Sequence, residues 1–276
     1  MRDVVDPRVT HTLPMADYVQ GVTRLYNQLY ILHTSDADQL GVYNTDCEHV
    51  RNISVPGLAK NGVCDIASCE QNGRLYLSNM EKGCIHLVVP KGRPISSKFS
   101  KWTLSEKPCG LSVTQTANLL VTCNASRRLL ELNSSGKQIR AIMLTSDLHQ
   151  PAHSIQLAFD NFVLCCVGGR GDMQVCIVNS EGKVEQSYGS TRGSGEGQLS
   201  VTTHIAVDRD GFIFVADRDN PKVVMLSPSL QFAGLVLPNE LQLRANHLYI
   251  DHADSRLYAS SFMFDQRRSV VTVVQL

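Results

Sequence analysis

The chain has 276 residues, with 26 basic and 26 acidic side chains, 43% hydrophobic residues and a pI near 7.1. That composition is ample for a large core, and the balanced charge leaves no net positive field to draw in nucleic acid or an anionic membrane, so any such binding needs a local patch. No segment supplies the roughly 18 apolar residues of a membrane span, and Met1-Arg2-Asp3-Val4-Val5-Asp6 lacks the apolar stretch of a secretion signal, which places the chain in the cytoplasm as an expectation.

Residues 7–13 form a spare alternating segment before the first regular unit. An apolar strand follows at 29–32, and similar strands recur at 75–78, 119–122, 163–166, 212–216 and 257–260. Taking Tyr30, Tyr76, Leu120, Leu164, Phe214 and Tyr258 as equivalent gives spacings of 46, 44, 44, 50 and 44 residues, which is the period of a repeat architecture. From the second unit onward each of these strands has an apolar partner before it, at 64–67, 110–113, 155–158, 205–207 and 248–250. Turn residues separate most of these pairs, as at Asn72-Gly73, Ala117-Asn118, Asp160-Asn161 and Asp210-Gly211.

A third strand, as at 173–177 and 222–226, and a more polar fourth complete an antiparallel blade of four strands. Six blades predict one all-β propeller over residues 1–276, monomeric as an isolated domain, whose radial repetition leaves few strand edges exposed. After the last marker strand only a third strand, at 270–274, remains, so the N-terminal segment is expected to supply the fourth strand of the last blade.

The nine cysteines are odd in number and scattered through strand-like runs, which suits buried thiols in a reducing compartment better than a disulfide framework. Three Asn-x-Ser sequons, at Asn52, Asn124 and Asn133, and the tripeptide Arg170-Gly171-Asp172 point instead to an extracellular adhesion protein; all are short patterns that arise by chance.

The run from Gly193-Ser194-Gly195-Glu196-Gly197-Gln198-Leu199 through Ile205-Ala206-Val207-Asp208, Asp210-Gly211, Val215-Ala216-Asp217 and Asn220 to Val223 resembles the NHL repeat. The paired glycines of kelch repeats and the Gly-His and Trp-Asp signatures of WD repeats do not recur. NHL propellers resemble the C-terminal modules of tripartite-motif ubiquitin ligases, which bind proteins or RNA, while other relatives of the fold are metal-dependent lyases or hydrolases.

The resemblance implies a non-enzymatic scaffold whose loop face recognises a protein partner, as in a ubiquitin-ligase-like assembly. Its anchors would be Arg127, Arg128, Arg170, Lys222, Arg267 and Arg268, with Arg218 among the loop cations. RNA binding is an alternative; Phe262 and Phe264 beside Arg267 and Arg268 are the few aromatics available for stacking.

A further alternative is a metal-dependent lyase or hydrolase. His204 and His247 precede Ile205 and Leu248 in the same register, His153 stands one position off it, and Asp65 aligns with His204, so these four would meet at the mouth of the channel and hold zinc or calcium. The other equivalent positions are Gly21, Gly110 and Ser154. On the scaffold reading no metal or other cofactor is needed.

Overall fold

The computed structural model describes residues 8–15, 17–33, 39–58, 62–90, 97–168, 172–189, 191–195, 197–237, 243–263, 266 and 268–276. Within them the chain forms six four-stranded antiparallel blades. Blade one comprises Val19–Leu25, Gln28–His33, Gln39–Tyr43 and His49–Ser54. The first strands of blades two to six are Val63–Cys69, Leu111–Val113, Leu148–Gln156, Thr202–Val207 and Arg244–Asp251. Among the described residues no helix is long and apolar enough to cross a membrane.

Burial follows position in the blade. Second strands such as Leu119–Cys123 and Ile213–Asp217 are buried at every residue because neighbouring blades cover both faces. The outermost strand of blade two, Lys98–Thr103, is mostly exposed, and its sequence KFSKWT is correspondingly polar. The core is divided into apolar layers between adjacent blades: Phe214 of blade five shares one with Leu248 and Leu257 of blade six, and Tyr30 of blade one shares another with Leu75 and Leu77 of blade two. The apolar surface buried in these layers is the main stabilising term of the fold.

The ring closes as the sequence implies. Arg8–Met15 pairs antiparallel with Arg268–Gln275, from Arg8 opposite Gln275 to Met15 opposite Ser269, and becomes the fourth strand of blade six.

Blade four corrects the sequence reading in two ways. Its first strand is Leu148–Gln156, and residues 158–160 form a 3-10 turn in place of the expected strand end. Its repeat register also moves by one residue. Tyr30, Tyr76, Leu120, Phe214 and Tyr258 all face the following blade, whereas Leu164 packs back towards Leu120 and Leu129 of blade three. Val163 is the residue that faces forward, towards Ile205 and Ile213. A shift of one residue exchanges the two faces of a strand. With Val163 as the marker, His153, not Ser154, stands where His204 and His247 stand in their blades, two residues before the partner of the marker.

The first strands share one irregularity. The register slips between Val19 and Gly21, Val63 and Asp65, Thr202 and His204, and Ala245 and His247. Blade three does the same with Cys109 and Gly110 both opposite Thr122, and blade four slips between His149 and His153. Each is a bulge that re-aims the extra residue and sharpens the local twist.

Candidate functional site

These bulges build two layers at one end of the channel. The inner layer takes one residue from each blade in turn: Gly21, Asp65, Gly110, His153, His204 and His247. All four side chains are buried, His204 being the most open at 7% exposure. The glycines make room. A Cβ on Gly21 would lie 2.7 Å from Ile66 Cγ2 and 3.1 Å from the His247 ring, and one on Gly110 would lie 2.5 Å from the Ala152 carbonyl oxygen and 2.8 Å from His153 Cα.

Asp65 is the centre of this layer. One carboxylate oxygen accepts from the Ile66 amide at 2.7 Å and from His247 Nε2 at 2.9 Å, and the other accepts from the Leu111 amide at 2.7 Å. His204 Nε2 and His153 Nε2 approach that second oxygen to 3.5 and 3.6 Å. The imidazoles overlap, with ring centroids 3.7 Å apart for His153 and His204 and 4.0 Å apart for His204 and His247.

Burial alone would raise the Asp65 carboxyl, but His204 and His247 more than offset it and hold it well below the usual range. Burial, reinforced by the other two imidazoles, pushes His204 well below an ordinary histidine, and burial likewise lowers His153. His204 and His153 are therefore neutral at pH 7, so their help to the Asp65 anion at that pH comes from ring dipoles and not from full charges. Asp65 is a buried anion among rings that are mostly uncharged, an arrangement that favours a cation.

Three imidazoles and one carboxylate are a zinc donor set; calcium prefers six to eight oxygens. Among the described residues, Asp65, His153 and His204 offer ligand atoms within 4.8 Å of one another. Their 3.5 and 3.6 Å separations are close to the edges of about 3.3 Å that a tetrahedral shell with bonds of about 2.0 Å requires. His204 Nε2 is buried with no hydrogen-bond partner, as is His153 Nδ1. The ligand atoms thus fit a zinc ion.

The outer nitrogens fit less well. Ligation at Nε2 leaves the proton on Nδ1, yet His247 Nδ1 and His204 Nδ1 lie 3.4 Å from the Val22 and Leu248 amides, which are donors themselves. Zinc histidines ordinarily have an acceptor at that nitrogen. His153 Nε2 is also shared with the Leu111 carbonyl oxygen at 2.9 Å. An ion held here must displace these bonds, which weakens its hold.

The outer layer consists of the residues immediately before the inner ones: Gln20, Cys64, Cys109, Ala152, Thr203 and Asn246. With Tyr18 and Arg218 they line a cavity of about 230 Å³ that has Asp65, His204 and His247 at its floor. Burial raises the Tyr18 phenol and Arg218 partly offsets that rise, so Tyr18 carries its proton at neutral pH. On the other side of the inner layer lies a second cavity of about 310 Å³, reached by His153, His204 and His247 and walled by later residues of the first strands. The four-residue cluster therefore divides the channel. Tyr18 and the outer layer were not singled out from the sequence; the signal of the outer layer was position, one residue before each inner-layer residue, whereas Tyr18, two residues before Gln20, carried no such signal.

The loop cations do not form a comparable group. Lys222 is buried, donating to the Ser194 and Gln198 carbonyl oxygens at 3.0 and 3.5 Å with Asp217 3.8 Å away. Asp217 itself accepts from the Ser200 and Val201 amides and from Asn220, so this part of the NHL-like motif fastens its own loop. Arg128 pairs with Glu106 at 2.9 Å, and Arg127 donates to the Ser146 carbonyl oxygen at 3.1 Å. Arg268 opens its strand at an exposed position, and Arg170 and Arg267 lie outside the described residues.

No known family profile matches the chain, and no curated protein matches it. Solved structures of the same fold do. A virginiamycin B lyase from Staphylococcus aureus is 12% identical with a TM-score of 0.64, the match covering 98% of this chain and 99% of that one. A streptogramin B lyase is 13% identical with a TM-score of 0.65, covering 98% and 87%. A third structure is a catalytically inactive histidine-to-alanine variant of the S. aureus lyase with quinupristin, 12% identical with a TM-score of 0.64, covering 98% and 99%. At this identity the likeness is one of fold. It nonetheless corrects the expectation of a non-enzymatic scaffold: the matched propellers are lyases, and the cations on which that expectation leaned include Lys222, committed to its own loop, and Arg128, paired with Glu106.

Proposed function

We propose that the chain is a metal-dependent enzyme of the lyase type, which takes a polar substrate into the 230 Å³ cavity above the Asp65 cluster. The observation that carries this reading is the convergence of three imidazole Nε2 atoms on one buried carboxylate, at the floor of a cavity that also holds a guanidinium and a phenol. The lyases that share the fold support it, one of them inactivated by loss of a histidine. So does the resemblance of residues 193–223 to NHL repeats, whose fold includes metal-dependent lyases.

On this reading Asp65, His153, His204 and His247 hold the ion. A zinc ion bound there supplies Lewis-acid polarisation of a substrate oxygen. Arg218 orients a carbonyl or carboxylate group of the substrate through its planar fork of donors. Tyr18 holds its proton at the phenolic oxygen in the resting state, and the nearby Arg218 stabilises the phenolate when that proton moves to a leaving group. The apolar layers between blades keep these groups fixed, so little reorganisation accompanies the reaction.

The test has two parts. Zinc content of the purified protein should approach one ion per chain and fall to near zero in His204→Ala and Asp65→Asn. Ester-containing substrates, quinupristin first, should then be incubated with the loaded protein and their products weighed. Products that together retain the substrate mass identify a lyase; a gain of one water identifies a hydrolase. A protein that binds no zinc after dialysis against it overturns the reading.

A further inference from the structure

We propose that the outer layer selects a small neutral acyl group, an amide or ester of a short branched aliphatic acid, by dividing the upper cavity into an apolar half and a polar half. This deepens the reading of that cavity as a substrate site and rests on it.

The division follows blade order. All six outer-layer residues line the cavity. Cys64, Cys109 and Ala152 come from blades two, three and four, which are consecutive and form one arc of the mouth. Thr203, Asn246 and Gln20 come from blades five, six and one, the opposite arc. Tyr18, just before the first strand of blade one, and Arg218, just after the second strand of blade five, stand on that second arc.

The first arc suits an alkyl chain. Ala152 ends in a methyl group, a thiol packs as a small hydrophobe, and the Cys64 thiol proton is spent on the Gly62 carbonyl oxygen at 3.4 Å. The second arc suits a carbonyl. Thr203 Oγ1 is buried with no hydrogen-bond partner among the described residues, and the Asn246 amide is fixed by donation to the Val19 carbonyl oxygen at 2.9 Å. Arg218 adds a planar fork of donors.

Charge decides against an ionised ligand. Arg218 already lies 3.5 Å from Asp219, and the floor of the cavity holds the Asp65 anion, so a second carboxylate enters a site whose cation is partnered. An ammonium would face Arg218, a like charge. Size sets the rest: an apolar cavity of about 150 Å³ holds one benzene, so this one takes roughly six to ten non-hydrogen atoms. The ligand, or the one group of a larger substrate that enters, lays its chain on Cys64, Cys109 and Ala152 and turns its carbonyl oxygen towards Arg218 and Tyr18.

The experiment uses the folded full chain with a chelator present, so that ligation of a metal does not contribute. Dissociation constants for isovaleramide, acetamide, isovalerate and isopentylamine are measured by protein-observed NMR. Isovaleramide should bind at least about tenfold more tightly than acetamide, because three further carbons leave water, and more tightly than either charged analogue. Arg218→Met should weaken both amides by about tenfold. Ala152→Leu should exclude isovaleramide and spare acetamide, and the nearly isosteric Cys109→Ser should narrow the preference between them, with circular dichroism confirming that each variant folds. Equal binding of the two amides, tighter binding of a charged analogue, no binding of any of the four, or isovaleramide binding untouched by both Ala152→Leu and Arg218→Met would overturn the proposal. Neither zinc nor turnover enters this readout. A failure of the lyase reading appears in the zinc content and the products, and a failure of this one in the four dissociation constants.

Discussion

His247 Nε2 lies 2.9 Å from Asp65 Oδ1, so blade six reaches across the channel to blade two at a buried carboxylate. The same cluster takes in the Leu111 amide of blade three, His153 of blade four, His204 of blade five and, through His247 Nδ1, the Val22 amide of blade one. Every blade therefore meets at this one anion, which fastens the ring from within as Arg8–Met15 fastens it from outside.

Replacing Asp65 should cost stability as well as metal. Asp65→Ala leaves the Leu111 amide and His247 without their acceptor, an expected loss of about 3 kcal/mol. Asp65→Asn, which keeps an acceptor oxygen, should lose less. Urea unfolding of the metal-free proteins measures both.

Acid should destabilise the fold in two stages. His204 and His153 have folded pKa values below their ordinary 6.5, so the unfolded chain binds more protons as pH falls below 6.5, and stability falls with it. Asp65, held well below 3.8, contributes stability that is present above that value and lost as pH falls towards its folded pKa. The urea midpoint of the metal-free protein should therefore begin to fall near pH 6.5 and fall again below pH 4, and His204→Gln should weaken both stages, the first because one of the two lowered imidazoles is gone and the second because His204 helps to hold Asp65 low.

Zinc should exchange readily. Because the Val22 and Leu248 amides face the nitrogens that would carry the displaced protons, a chelator should strip the ion from the folded protein within a dialysis, while far-ultraviolet circular dichroism stays unchanged. Loss of the β-sheet signal on chelation would show that the ion holds the fold together.

Gly110→Ala should be costly for a substitution so small. The added Cβ meets the Ala152 carbonyl and His153 Cα, both backbone, at distances that force a shift, and the expected destabilisation is about 1–3 kcal/mol. Zinc affinity should fall with it because His153 is displaced. Gly197→Ala, with open space around its Cβ but a φ of +74°, separates backbone strain from crowding.

Much of this was legible in the sequence, and the failures have identifiable causes. Turn residues and a period near 44 revealed the blades, and the shortage of one strand at the end revealed the closure. The register of blade four was missed because Phe162-Val163-Leu164-Cys165-Cys166 is apolar on both faces, so alternation carries no phase there. The histidines were found by register, but a bulge adds a residue without leaving a mark in composition, so the outer layer stayed hidden. Lys222 read as a surface cation because its carbonyl partners, Ser194 and Gln198, come from a distant turn.

The two layers at the mouth use two adjacent positions from each blade, and the packing between blades uses others. Chemistry and folding are thus written largely in separate places, with Asp65 and Gly110 serving both. A descendant of this chain can vary the layer positions, exchanging Cys for Thr for example, and inherit the packing between blades, at a cost in stability where the position is also structural, as at Asp65 and Gly110. Twelve such positions make the mouth a combinatorial surface, on which a new specificity lies a few substitutions away and need not disturb the layers that hold the ring together.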